Sequence, residues 1–330
     1  MIVCKACGNQ MQPCCSRLFD DRYGYPGYFD IQVCQHCGLY QTAPPLRENE
    51  IADLYTRYYP RQDMNAGNIK RNVVPEWGWF ATAKQWFTGN HRIHFMLPRA
   101  NKKVLEIGCG DGRSLLELKA RGYDASGIET DKNVGAMAKE LGLTVHIGTV
   151  ENCDFAPVSF DYIIANQLIE HVVNLDSFLE HCKTLLKDNG TMIVSTPNAR
   201  SIYRKLCGRA WINWHIPYHQ QVFTKKSLAL LLQKHGFSLT KTTIITPTAW
   251  TLHQLHALRT THTMGIQDPY WNKKENSATG GSAPKTFMQK VARGAKRTFF
   301  WGIVAGITLV NRVVDAVRQG DCMVLHIQKR

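Results

Sequence analysis

The sequence of 330 residues contains no apolar run of about 20 residues, the length that a membrane-spanning helix requires. The apolar run Phe299–Val310 is too short to cross a bilayer. The first ten residues are polar and include cysteine, whereas a signal peptide needs an apolar segment there. We therefore expect a cytoplasmic protein whose 11 cysteines are free thiols or metal ligands, not disulfides.

Acidic residues are scarce relative to basic ones. Lys and Arg number 40 and Asp and Glu number 26, which gives a formal net charge of +14. This excess favours an anionic partner, and nucleic acid, an acidic membrane surface and a phosphorylated substrate fit it equally well. The hydrophobic content of 44% is enough for one large core or two smaller ones.

A glycine-rich turn lies between two short apolar segments in the middle of the chain. The first segment is Val104–Ile107, and the second, Ala125–Ile128, ends on Glu129. The glycines of the turn are Gly108, Gly110 and Gly112. This β-α-β pattern predicts a nucleoside-containing ligand, because the glycines let backbone amides approach it closely and a carboxylate about 20 residues later can hold ribose hydroxyls.

Acidic residues precede and interrupt the turn, and they would repel a pyrophosphate but suit a ligand with a sulfonium and an ammonium group. The run from Glu106 to Gly112 resembles motif I of the class I S-adenosylmethionine-dependent methyltransferases. The resemblance implies a Rossmann-like α/β fold with seven strands, the last antiparallel, and S-adenosylmethionine as cofactor. The candidate cofactor-binding residues are Glu106, Gly108, Cys109, Gly110, Gly112, Glu129, Thr130, Val150, Glu151, Asn166 and Gln167.

Two C-x-x-C-G sequences near the N-terminus predict a structural zinc site. Their thiolates belong to Cys4, Cys7, Cys34 and Cys37. Four thiolates complete the tetrahedral shell that structural zinc prefers. Cys14 and Cys15 break the pattern and are interpreted as non-ligands, although either could replace one of the four. The arrangement is similar to the zinc-ribbon head of many bacterial methyltransferases that act on small molecules and sugars.

The segment Asn166–Val172 follows the fourth apolar strand of the core and is expected to face the transferred methyl group, because ligands of open α/β sheets lie at the carboxyl ends of the strands. His171 there could accept a proton from a substrate hydroxyl, with Glu170 fixing its tautomer. His219, in a later segment, is a second candidate base. The alternative for Glu170 and His171 is that they only cap and pack the turn.

The same segment is similar to the ubiquinone-type O-methyltransferases, in which an E-x-x-E-H run is associated with a divalent metal. Gln167 occupies the first acidic position here, and the missing carboxylate argues against a catalytic metal. Trp214 and Tyr218 beside His219 would suit a sugar-like acceptor. Tyr58 and Tyr59 could reach the substrate, but we interpret each mainly as a stacked core aromatic.

Residues 247–320 are predicted to be an insertion before the last strand. Basic residues precede the apolar run Phe299–Val310, which favours a helix in a membrane interface over 285–319. The alternative is a helix packed on the core or on a partner subunit. The predicted divisions are a zinc-ribbon head (1–45), a helical lid or linker (46–100), the cofactor-binding core (101–246), the helical insertion (247–320) and the last core strand (321–330).

The sequence thus predicts a methyltransferase that acts on an oxygen or carbon of a sugar, a lipid-linked glycan or another small molecule. If the insertion docks, the enzyme would lie on the inner face of the membrane. An RNA or protein methyltransferase is the alternative, although the segment from Asn166 lacks the Asn/Asp-Pro-Pro-aromatic motif of many amino-nitrogen methyltransferases. A membrane-bound scaffold that only retains the cofactor is a third hypothesis, and the intact glycines and carboxylates argue against it.

Overall fold

The structure is a computed structural model that describes residues 2–47, 50–51, 54–59, 65–73, 79–89, 92–98, 101–271 and 287–330. The strands are β1 (Gln12–Leu18), β2 (Phe29–Val33), β3 (Tyr40–Ala43), β4 (Lys103–Ile107), β5 (Asp124–Glu129), β6 (Thr144–Ile147), β7 (Phe160–Asn166), β8 (Leu186–Pro197), β9 (Gln221–Val222), β10 (Phe237–Ile245) and β11 (Cys322–Lys329). The α-helices are α1 (Ala66–Arg71), α2 (Trp79–Thr88), α3 (Arg113–Ala120), α4 (Asn133–Glu140), α5 (Leu175–Leu185), α6 (Ile202–Cys207), α7 (Lys225–Lys234), α8 (Thr248–Ala257) and α9 (Phe287–Ala316). Short 3₁₀ or π-helical turns are Leu54–Tyr58, Ile93–Met96, Val150–Asn152, Gly208–Ala210 and Ile212–Trp214.

A seven-stranded sheet in the order β10-β11-β8-β7-β4-β5-β6 forms the centre of the protein. The neighbours from β8 to β6 are parallel, and β11 is antiparallel to both β8 and β10. The predicted sheet with an antiparallel last strand is confirmed. The chain leaves β4 towards β6 on one side and returns to β7 on the other, so the crevice at the carboxyl ends of β4 and β7 is the expected ligand site.

The parallel strands are buried on both faces because consecutive side chains point to opposite layers. Ile163 packs with α5 and α7 on one side, and Ile164 packs with α3 and α4 on the other. Both are fully buried, and each such side chain contributes roughly 1.5–3 kcal/mol relative to an exposed one. This double cover fixes the strand ends that carry the candidate site residues.

A second, four-stranded antiparallel sheet joins the N-terminal segment that carries the two C-x-x-C sequences to a distant part of the chain. We call this segment, residues 2–45, the cysteine segment. Its order is β1-β2-β3-β9, and β9 belongs to the segment that follows His219. The Thr42 amide also donates to the Gln220 carbonyl at 3.0 Å. The cysteine segment is therefore packed against the segment that carries His219.

The segment between β10 and β11 contains α8 and α9, and the packed face of α9 includes buried polar side chains. Thr308 and Asn311 are fully buried. Their side chains bond to Thr248 at 2.9 Å and Thr251 at 3.0 Å. The exposed face of α9 is apolar, and Val317, just after the helix, continues it. The exposed apolar side chains are Phe300, Trp301, Ile303, Leu309, Val310, Val313 and Val317. Among the described residues, no helix combines the length and apolar character needed to cross a membrane.

Candidate active site

The glycine turn after β4 adopts a backbone that other residues avoid. Gly108 and Gly112 both have φ of +76°. A Cβ on Gly112 would lie 2.6 Å from Leu143, and one on Gly108 would lie 3.1 Å from Leu168. Because Leu168 precedes Glu170 and His171, the segment with the candidate bases packs directly over the glycine turn.

Glu129, at the end of β5, faces the same turn. Its carboxylate accepts hydrogen bonds from the amides of Gly110 at 2.9 Å, Thr130 at 2.7 Å and Asp131 at 3.1 Å. These bonds fix the carboxylate beside the turn, where a ribose would lie if the cofactor bound as expected.

Two predicted cofactor residues are buried instead of lining an open surface. Glu106 is 4% exposed and bonds to the hydroxyl of Ser114 at the start of α3. Burial raises the pKa of the Glu106 carboxyl to about 8. The Cys109 side chain is also buried. Both side chains therefore support the turn from the core side.

The turn Val150–Asn152 follows β6 at the sheet edge that carries Glu129. Val150 is buried and Glu151 is exposed, so the Glu151 side chain is the one accessible to solvent. The Asn152 side chain accepts from the Thr149 amide at 2.9 Å and fixes the turn. Sequence reasoning missed Asn152, although its spacing from Thr149 is that of a capping box.

Asn166 and Gln167 end β7 at the switch point. The Asn166 side chain accepts from the Ser195 hydroxyl at 2.6 Å. Gln167 has a φ of +51°, and its side-chain amide donates to the Ser195 hydroxyl at 2.9 Å and to the Cys322 sulfur at 3.3 Å. Gln167 thus ties β7 to β8 and β11, and its amide nitrogen is engaged away from the two candidate bases.

His171 is held in one tautomer. Its Nδ1 lies 3.0 Å from the Tyr218 carbonyl oxygen and 2.8 Å from the Tyr55 hydroxyl oxygen. A carbonyl oxygen only accepts, so Nδ1 carries the proton and Nε2 has a free lone pair. Burial lowers the pKa of His171 to about 4, and the ring is therefore neutral at pH 7.

His219 has the same arrangement. It is 6% exposed, and its Nδ1 lies 2.8 Å from the Asn213 carbonyl oxygen. Burial lowers the pKa of His219 well below the usual value. The ring centroids of His171 and His219 are 4.7 Å apart, so the structure brings the two predicted bases together. The ring centroid of a third imidazole, His215, lies 4.9 Å from that of His219. Sequence reasoning did not name His215 as a candidate, although it stands four residues before His219.

Glu170 is fully buried beside these imidazoles. Within the described part of the chain, neither of its carboxylate oxygens has a hydrogen-bond partner of normal geometry. Burial raises its pKa to about 8, an effect that the Thr196 side chain partly offsets. One Glu170 oxygen and one ring nitrogen each of His171 and His219 lie within 4.8 Å of one another.

Four tyrosines border this polar group. Tyr218 lies at their centre. The ring centroids of the other three, Tyr23, Tyr55 and Tyr59, lie 5.3 to 5.7 Å from that of Tyr218. Burial raises the pKa of Tyr55 and Tyr59, and the charge of Glu129 adds to it. Tyr55 and Tyr59 are therefore close enough to Glu129 for its charge to act on them, and Tyr55 also bonds to His171. Sequence reasoning considered Tyr59 and Tyr218 here but missed Tyr23 and Tyr55.

The cysteine segment and β9 fix the segment with Glu170 and His171. The Gln221 side chain donates to the Val172 carbonyl at 2.7 Å, and Lys5 donates to the Val173 carbonyl at 2.9 Å. The Thr42 hydroxyl donates to the His219 carbonyl at 2.6 Å. Both candidate bases are thus positioned by residues from outside the seven-stranded sheet.

The four predicted cysteine ligands form one cluster. The Sγ atoms of Cys4 and Cys37 are 3.5 Å apart, as are those of Cys7 and Cys34. All four lie within 4.8 Å of one another. A tetrahedral zinc ion with Zn–S bonds of about 2.3 Å needs S···S distances of roughly 3.8 Å, so the cluster fits zinc. Cys14, on β1, is not among its members.

Comparisons with known proteins find similar sequences and structures. Residues 82–242 match the family model described as a methyltransferase domain. The ubiquinone biosynthesis O-methyltransferase of Bradyrhizobium diazoefficiens is 36% identical over 29% of this chain and 40% of its own. The ubiquinone biosynthesis O-methyltransferase of Cereibacter sphaeroides is 28% identical over 47% of this chain and 68% of its own. A SAM dependent methyltransferase from Archaeoglobus fulgidus is 15% identical, with a TM-score of 0.45 over 76% of this chain and 100% of its own.

Residues 82–242 therefore match a methyltransferase domain, and the predicted resemblance to the class I, S-adenosylmethionine-dependent methyltransferases is confirmed at the level of this domain. The relatives named above are ubiquinone biosynthesis O-methyltransferases, which methylate oxygen. The chain spans 40% to 68% of the length of such curated relatives.

Proposed function

We propose that the protein transfers a methyl group from S-adenosylmethionine to a hydroxyl oxygen of a small molecule. The observation that carries this is the pair of neutral imidazoles, His171 and His219, at the switch point of the sheet. In each, Nδ1 is held by a carbonyl, and no hydrogen bond to Nε2 is found among the residues that the structure describes. The names of the relatives support an oxygen acceptor. The four tyrosines suit a ring with apolar faces and hydroxyl edges, such as a sugar or a lipid-linked glycan.

In the proposed reaction, the acceptor oxygen attacks the methyl carbon in line with the carbon–sulfur bond. The carbon–sulfur bond breaks, its electrons stay on sulfur, and S-adenosylhomocysteine leaves. The hydroxyl proton passes to Nε2 of His171 or His219. Although these imidazoles are weak bases, the hydroxyl becomes strongly acidic as its oxygen bonds to carbon, so a weak base in the right place suffices.

We expect the purified protein to move labelled methyl from S-adenosylmethionine to sugar or phenol hydroxyls in a substrate panel. Glu129→Ala should weaken S-adenosylhomocysteine binding about 100-fold, since hydrogen bonds to a carboxylate contribute about 1.5–3 kcal/mol each. Isothermal titration calorimetry measures the affinity, and Glu140→Ala, an exposed glutamate at the end of α4, is the matched control. Labelling of RNA or protein but of no small molecule would overturn the proposal.

We also propose that Cys4, Cys7, Cys34 and Cys37 bind one structural zinc ion. The four sulfurs fill its coordination shell, so the ion would hold the cysteine segment and take no part in the chemistry. The division of the chain into a zinc-ribbon head, a helical linker, the core, an insertion and a last strand is part of the same proposal.

The distribution of polarity on α9 supports a peripheral membrane contact. Thr308 and Asn311 face the protein, whereas Trp301 is 54% exposed and Val310 is 57% exposed. The sequence from 285 to 299 contains five basic residues and no acidic one. Apolar side chains beside a cationic stretch match the interface of an anionic membrane on the inner face.

Full-length protein should sediment with vesicles that contain phosphatidylglycerol and less with neutral phosphatidylcholine vesicles. The double change Trp301→Asp and Val310→Asp should weaken this binding by about 100-fold or more, because each side chain contributes roughly 1.5–3 kcal/mol when buried. Val158→Asp, an exposed valine in the segment before β7, is the control and should sediment like the unaltered protein. Equal sedimentation of all three proteins would exclude this contact.

A further inference from the structure

We propose that the protein binds an acidic group of the methyl acceptor, a carboxylate or a phosphate, at a subsite formed by Arg22, His215, Tyr218 and Trp271. This inference rests on the proposed function, because it takes the ligand to be the acceptor. It narrows the acceptor to a small molecule that carries negative charge as well as a hydroxyl group. Binding of an acidic group can be measured without methyl transfer, so the two proposals can fail separately.

Arg22 is a buried cation whose charge is incompletely balanced. It is 8% exposed, and its Nε has no hydrogen-bond partner among the residues that the structure describes. The guanidinium donates to the Ile212 carbonyl, and its carbon lies 4.5 Å from the centre of the Trp271 ring. Nε is 3.6 Å from a carboxylate oxygen of Asp21, which is beyond hydrogen-bond distance, and the Asp21 side chain is 33% exposed. Because buried charges are normally paired and hydrogen-bonded, Arg22 is suited to an anion that binds from outside the chain.

A second carboxylate in this region, that of Asp20, is already used by the backbone. Asp20 is fully buried and accepts hydrogen bonds from the amides of Arg22 at 2.9 Å, Tyr23 at 3.1 Å and Tyr25 at 2.9 Å. Within the described ranges, no ion pair joins Asp20 to the guanidinium of Arg22. Asp20 therefore shapes the turn that carries Arg22 and leaves the guanidinium available.

Three more buried polar atoms beside Arg22 lack partners within the part of the chain that the structure describes. They are the Tyr218 hydroxyl, Nε2 of His215 and Nε1 of Trp271. The rings of His215 and Tyr218 are stacked with their centroids 4.7 Å apart, and the ring centroid of Tyr23, the neighbour of Arg22, lies 5.7 Å from that of His215. The guanidinium and the indole can only donate, and the hydroxyl can also donate. Since buried donors without acceptors are destabilising, the oxygens of one acidic group would satisfy several of them together.

Arg22 also acts electrostatically on the rings expected to surround the acceptor. Burial raises the pKa of Tyr59, and the charge of Arg22 partly offsets this effect. Burial lowers the pKa of His215 well below the usual value, and the charge of Arg22 lowers it further. The ring centroid of His215 lies 6.3 Å from that of His171 and 4.9 Å from that of His219. An acidic group held at Arg22 would thus leave the rest of the acceptor beside the two candidate bases.

The chemistry of arginine selects the class of ligand. A guanidinium keeps its charge at every working pH, and its planar N–H groups match the oxygens of a carboxylate or a phosphate. A neutral sugar would leave the charge of Arg22 unbalanced after the pocket had closed around it. Among the acceptors proposed above, acidic sugars, sugar phosphates and hydroxylated aromatic acids are therefore favoured.

The test uses pairs of probes that differ only in the acidic group. Protocatechuate is compared with catechol for a carboxylate, and inositol monophosphate with inositol for a phosphate. Calorimetry of the full-length protein in the presence of S-adenosylhomocysteine measures binding, and labelled S-adenosylmethionine measures transfer. We expect at least one acidic probe to bind about 10-fold or more tightly than its neutral partner, as a charge-assisted hydrogen bond would give.

Arg22→Gln should weaken binding of that acidic probe by at least about 10-fold and change binding of the neutral partner by less than about threefold. Tyr218→Phe keeps the ring and removes only the hydroxyl, and it should weaken binding of the acidic probe by about threefold or more. Arg17→Gln is the matched control, because Arg17 is an exposed arginine of the same cysteine segment, and it should bind both probes normally. Unchanged affinity for S-adenosylhomocysteine will show that each variant is folded.

Equal affinity of the unaltered protein for both members of each pair, or no binding of either acidic probe, would overturn the subsite. Equal losses for the acidic and the neutral probe in Arg22→Gln would also overturn it. Methyl transfer to a neutral hydroxyl would leave the proposed function intact in these cases. Selective binding of an acidic probe, with labelled methyl passing only to RNA or protein, would support the subsite and contradict the proposed function.

Discussion

Replacing Cys34 with serine is expected to lower methyl transfer by about 100-fold or more, although Cys34 belongs to the cysteine cluster and not to the candidate acceptor residues. A structural zinc site contributes roughly 10–16 kcal/mol of folding free energy in zinc-finger peptides. Losing one thiolate should therefore unfold the cysteine segment. Unfolding of this segment would break the hydrogen bonds from Thr42 to the His219 carbonyl and from Lys5 to the Val173 carbonyl. The two candidate bases would then lose their positions.

The measurement is bound zinc by elemental analysis, together with turnover and S-adenosylhomocysteine affinity. The affinity should stay within about threefold, because the glycine turn and Glu129 belong to the seven-stranded sheet and not to the cysteine segment. Cys14→Ser is the matched control, since Cys14 is exposed on β1 and lies outside the cluster. Full zinc content and full turnover in Cys34→Ser would contradict both the zinc site and its link to the bases.

The parts of the fold that the sequence predicts are those encoded by short patterns. The glycine turn after β4 and the acidic end of β5 belong to one β-α-β unit, and their glycines and carboxylate carry a local signal. The sheet with its antiparallel last strand follows from successive apolar segments together with the family resemblance. The close packing of the four cysteines follows from two C-x-x-C spacings.

The rest depends on contacts between distant segments, which no local pattern encodes. Tyr23, Tyr55 and Tyr218 come from three segments that are distant in sequence, and their rings meet only in the folded chain. The orientation of α9 is a second example. Its sequence shows an apolar run, but the buried hydrogen bonds of Thr308 and Asn311 decide that the apolar side faces outward. In both cases a few polar contacts between segments select the arrangement.

Replacing His171 with alanine should lower kcat by about 100- to 10,000-fold, the usual contribution of a positioned acid or base. The affinity for S-adenosylhomocysteine should change less than about threefold, because Glu129 and the glycine turn remain intact. His181→Ala is the control, because His181 lies on α5 and bonds within its own helix, and it should retain full turnover. Unchanged turnover in His171→Ala would remove this imidazole from the mechanism and leave it the packing role that the sequence also allows.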